Sequence, residues 1–95
     1  MDAWKHLEIG HEGSLARLHY FSVIKKQASG EIEFQITVRE SAKPATPDML
    51  FFAEADKETN QRVAPYRPSG WSNTLEDALR LCILNLQRFD YEPSE

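Results

Sequence analysis

Residues 31–39, EIEFQITVR, alternate without a break. Ile32, Phe34, Ile36 and Val38 fall on one side; Glu31, Glu33, Gln35, Thr37 and Arg39 fall on the other. Successive side chains of a strand point to opposite faces, so a period of two over nine residues predicts a strand with one buried and one wet face. Such a strand needs two things from the rest of the chain. Neighbours must satisfy its backbone, and something must cover its apolar side.

The first neighbour precedes it. Residues 14–27 carry Leu15, Leu18, Tyr20, Phe21, Val23 and Ile24, a density of aromatic and β-branched residues that favours a strand. The alternation is imperfect, which implies either a bulge or a strand apolar on both faces. Gln27-Ala28-Ser29-Gly30 is turn chemistry, so 14–39 reads as an antiparallel hairpin.

The cover comes from the other end. Thr74 is a good N-cap, with Asp77 three residues on and Glu76 in the first turn, where the helix dipole favours acids. Leu75, Ala78, Leu79, Cys82, Leu86 and Phe89 then recur at core-facing helical spacing, and Ile83 widens the stripe. Leu81 and Leu84 lie off it. The expected helix spans 74–89, and Pro93 marks the expected end of order.

Between hairpin and helix two rules conflict. Thr46-Pro47-Asp48 looks like a helix start. Yet Met49, Phe51, Ala53 and Ala55 alternate with Leu50, Phe52 and Glu54, and the block is short, which favours a strand and leaves a helix open. Residues 56–61 are a polar loop. Residues 62–68 fit a short edge segment, since Pro65 and Pro68 cannot donate to a ladder. Residues 1–13 fit either a helical turn, from Ala3, Trp4 and Leu7, or a short strand; Gly10 and Gly13 break either one. The fold class that follows is α+β in one domain over 1–95: an antiparallel sheet of three or four strands with a C-terminal helix packed on one face.

GWSNTLEDALRLCILNLQRF, residues 70–89, resembles the C-terminal half of the HicB-like antitoxin domain. The matching residues are Gly70, Thr74, Leu75, Glu76, Asp77, Ala78 and Leu79. The strands at 31–39 and about 49–55 fit that family's β-β-β-α order, so the resemblance covers residues 31–89. It implies the fold, and an antitoxin-like or regulatory role acting through a protein partner. RPSGW, residues 67–71, stands where the family has a Pro-x-Leu-Pro-Gly-Cys strand end, and a further hairpin strand precedes the matched region.

Charge and composition narrow the function classes. Eleven basic against fifteen acidic residues give a net charge of −4, and Lys25-Lys26 is the only basic pair. Phosphate backbones are met by clustered basic residues, so direct nucleic-acid binding by a monomer is disfavoured. No apolar run approaches the roughly 18 residues of a membrane span. Met1–His6 lacks a basic, then apolar, leader, so no signal peptide is expected. The single cysteine, Cys82, points to a cytoplasmic, reducing home.

Candidate sites are few. His6, His11 and His19 match no ligand spacing, and Cys82 belongs to the apolar stripe, so no metal or cofactor is expected. No nucleophile elbow frames a serine, and the four glycines make no phosphate loop; a catalytic role is not expected. APYRPSGW, 64–71, gathers Tyr66, Arg67 and Trp71, residue types enriched at binding hot spots. The three mark either an interaction surface or a small-molecule site of a binding protein or minor enzyme. The plainer alternative has Trp71 closing the core beneath the helix start and Tyr66 covering an edge. Leu81 and Leu84 form a second candidate contact surface. A core made by one sheet face and one helix is small for 95 residues, so a homodimer is expected, through those leucines or an unpaired strand edge.

Overall fold

The computed structural model describes residues 3–10 and 13–92. Four strands, β1 (Ala16–Gln27), β2 (Gly30–Ser41), β3 (Phe51–Ala55) and β4 (Ser69–Ser72), form one antiparallel sheet in the order β1-β2-β3-β4. One helix, α1 (Leu75–Leu86), lies across β4 and β3 and reaches β2. This is the α+β arrangement that the two periodicities predict. Ala3–His6 form a 3-10 turn, so the N-terminal segment takes the helical option. The expected end of order at Pro93 lies outside the described residues, as does His11.

The β1–β2 register runs unbroken from Ala16↔Ser41 to Gln27↔Gly30. No bulge interrupts it, so the imperfect alternation of β1 means that the strand is apolar on both faces. Phe21 and Val23 pair with Ile36 and Phe34 on the helix side. Leu18, Tyr20 and Ile24 point the other way and are exposed. The turn closes on Gly30 at φ +131°, a backbone angle that side-chain-bearing residues rarely adopt.

Both rules that competed over 46–55 operate, one after the other. Pro47–Met49 make a 3-10 turn with Pro47 at its start, Leu50 is still helical, and Phe51–Ala55 is strand. Proline's fixed φ suits the turn, and the alternating residues after it suit the sheet. The edge segment expected at 62–68 is displaced. The loop is pinned by a single bridge, Thr59 to Tyr66, with N···O distances of 2.7 and 3.1 Å, and the edge strand is 69–72.

The core is Phe34, Ile36, Val38, Ala53 and Ala55 from the sheet with Ala78, Cys82 and Leu86 from the helix. Leu75, Leu79 and Ile83 pack against it, half-buried. Thr74 caps α1 by accepting from the Asp77 N–H at 3.2 Å. The helix ends at Leu86, so Phe89 does not complete the stripe; it lies 5.3 Å from Tyr66, edge to face. The segment after the helix turns back on the hairpin. The Lys25 ammonium donates to the Leu86 and Phe89 carbonyls, and the Gln27 amide exchanges two hydrogen bonds with the Tyr91 backbone. A cation on the last carbonyls of a helix also meets the negative end of its dipole.

Candidate interaction surface

The residues singled out in 64–71 do not converge. Tyr66 faces Phe89. The Arg67 guanidinium donates to the Ala55 carbonyl at 3.3 Å. Trp71 pairs with Phe52 across β3–β4, and its ring lies 4.4 Å from the Phe52 ring. That position is on the sheet face away from α1, so Trp71 does not close the core beneath the helix start. Gly70, its neighbour, does: it faces the helix directly beneath Ala78, Leu81 and Cys82. Leu81 and Leu84 are exposed on the flank of α1, 43% and 53% accessible, with Leu81 over β4.

The sheet face opposite α1 gathers more apolar surface than either expected site. Leu18↔Arg39, Arg39↔Phe52 and Phe52↔Trp71 are successive register pairs, so these four residues form one row across all four strands. Tyr20, Thr37, Glu54 and Ser69 form the next row. Tyr20 is 72% exposed, Trp71 46% and Leu18 43%. Arg39 and Glu54 make no hydrogen bond or ion pair among the described residues. The sequence carried a signal for this face in the apolar residues on both parities of 14–27 and in Phe52, out of phase with Phe51. Aromatic and aliphatic side chains gathered around an arginine on one sheet face mark a contact surface more often than scattered leucines do.

At one end of the sheet, on the helix side, sits a buried carboxylate. Glu40 continues the parity of Ile36 and Val38 and is 4% exposed. It accepts from Arg17 at 3.0 and 3.2 Å, shares a 3.0 Å hydrogen bond with the His19 Nε2, and lies 3.2 Å from the Lys5 ammonium. The Trp4 ring lies beside the Arg17 and Lys5 cations. Together these contacts tie the N-terminal turn to β1 and β2. Burial pushes the Glu40 carboxyl up, but hydrogen bonds from His19, Arg17 and Lys5 outweigh it and hold the group below its ordinary value. A depressed carboxylate contributes stability that is present above its unfolded value and lost as pH falls through the folded one. In urea melts from about pH 6 down to about pH 3, the stability gap between wild type and Glu40→Gln should therefore close in acid. A gap that widens would mean that the cations do not stabilise the charged form.

Cys82 is fully buried against Pro68, and its thiol is pushed up to about 12 by burial and, secondarily, by the Glu54 charge. Slow labelling by a bulky thiol reagent in native buffer, and fast labelling in denaturant, is the expected behaviour. Fast native labelling would mean that the helix leaves the sheet readily.

Among the described residues no three His, Cys, Asp or Glu side chains stand close enough to hold a metal ion. His19 serves Glu40, and His6 is exposed. A concavity of about 280 Å³ lies between the N-terminal loop and the start of the hairpin, with Lys5, Arg39 and Lys43 on its wall. Tyr66, Arg67 and Trp71 take no part in it. No described helix is long and apolar enough to cross a membrane. Comparison with protein-family models, curated proteins and solved structures finds no match to this chain.

Proposed function

We propose that the chain is a non-enzymatic interaction module that works through protein–protein contacts in a reducing, cytoplasmic setting. The observation that carries this reading is the row Leu18, Arg39, Phe52 and Trp71, with Tyr20 beside it, on an open sheet face. Large side chains held on a rigid sheet lose little further entropy on contact, and aromatic residues with arginine are the usual anchors of binding surfaces. An antitoxin-like or regulatory role is the form that the HicB-like order of strands and helix suggests. The free, buried thiol of Cys82 suits a reducing compartment.

The test is co-expression with the products of neighbouring reading frames, followed by size-exclusion chromatography of wild type and of a Leu18→Glu, Tyr20→Glu variant. Both side chains are exposed, so the variant should melt as wild type does. The reading requires a complex, with itself or with a neighbour's product, that the variant loses. A wild type that elutes alone as a monomer, or a variant that keeps every complex, would remove it.

A further inference from the structure

We infer that the occupant of the open face is a second copy of this chain, packed sheet to sheet about a two-fold axis that runs along the strands between β2 and β3. This rests on the interaction-module reading and goes beyond it by naming the partner and the geometry.

The argument is one of self-complementarity. A two-fold axis of this direction reverses the strand order across the contact and keeps the rows in step. The row Leu18, Arg39, Phe52, Trp71 then meets itself reversed. Leu18 packs on Trp71 of the other copy, and the Arg39 guanidinium packs on the Phe52 ring, each contact made twice. In the next row Thr37 meets Glu54 of the other copy. Arg39 then stands one pleat repeat, about 7 Å along the strand, from that carboxylate, within reach of its long side chain. Arg39 and Glu54 make no hydrogen bond or ion pair among the described residues, and this operation pairs them across the contact. An axis running across the strands would instead set Arg39 against Arg39. Pairing through the free edge of β1 would leave the row uncovered. Sheets packed face to face with nearly aligned strands are a common solution for two apolar sheet faces.

β3 and β4 are only five and four residues long, so the four-strand part of the face is small. For so small a contact the dimer should dissociate at micromolar rather than nanomolar concentration.

Sedimentation equilibrium from about 1 to about 500 µM, a span that brackets weak association, tests this with charge reversals. Wild type should dimerise. Arg39→Glu and Glu54→Arg should each weaken the dimer at least tenfold by setting like charges together. The double variant should recover most of the loss, which a merely structural role of either side chain would not produce. Leu81→Glu, Leu84→Glu should leave the dimer unchanged. A monomeric wild type overturns the inference, as does a dimer indifferent to both reversals or one dissolved by the Leu81, Leu84 variant. If wild type is monomeric but a neighbour's product still binds the face, the interaction-module reading stands and only the self-pairing falls.

Discussion

Phe34→Ala is expected to lower the unfolding free energy by about 3–5 kcal/mol, the range for truncating a fully buried phenylalanine. Phe34 is inaccessible to solvent at the centre of β2. Tyr91 meets its ring edge to face at 6.1 Å, and the Lys57 ammonium lies 5.9 Å from its centroid. Its register partner Val23 closes the β1 side. The cavity left behind would therefore be bounded by β1, the helix and the C-terminal segment, three elements that cannot all collapse inward together. Small domains have only about 5–15 kcal/mol of stability in total, so the variant should be marginal at room temperature. A denaturant melt reads the loss. A change below about 1 kcal/mol would place Phe34 outside the core and reverse the assignment of the two sheet faces.

Gly70→Ala should be the second large effect, about 1–3 kcal/mol or more, from the smallest possible addition. A Cβ at this position would stand 2.6 Å from the Leu81 Cβ, 2.9 Å from the Ala78 carbonyl oxygen and 3.1 Å from the Cys82 nitrogen. All three are anchored to the helix backbone, so no flexible side chain can swing aside. The helix itself must lift from β4, and with it Ala78 and Cys82 from the core. Two measurements should move together: the melt should shift to lower denaturant, and native labelling of Cys82 should accelerate. A melt unchanged within about 0.5 kcal/mol would mean that the helix does not lie so close to the strand.

Gly70 also shows how a residue can be legible in sequence for the wrong reason. Gly70-Trp71 reads as punctuation before a helix, because glycine commonly ends elements. Its role here is room: the strand and helix backbones approach closely at the one residue without a Cβ. That requirement belongs to the contact, and no local pattern announces it. Glu40 is the converse case. Its place on the buried parity of β2 follows from the alternation of Ile32 to Val38, but the hydrogen-bonding partners that make burial tolerable are Lys5, Arg17 and His19, and only the folded chain brings them together.

Some of the architecture was determined by the sequence alone: the hairpin, the alternating strand at its centre, and the capped helix from Thr74. Each rests on a periodicity or a cap that a window of a dozen residues contains in full. Over 47–55 the same local logic offered a proline-led helix start and a short alternating strand as rivals, and the structure placed one after the other. Only the tertiary structure decided that four residues at 69–72 form a strand, because so short an element is specified by its partner's backbone rather than by its own composition. It also decided which face each apolar residue serves. Trp71 and Phe52 lie on the open side because the helix descends on Gly70 and covers the opposite parity. The two apolar sides of β1 were visible from the start, but the sequence did not say which one α1 would take. That depends on where the chain returns after β4, a long-range property that no local period encodes.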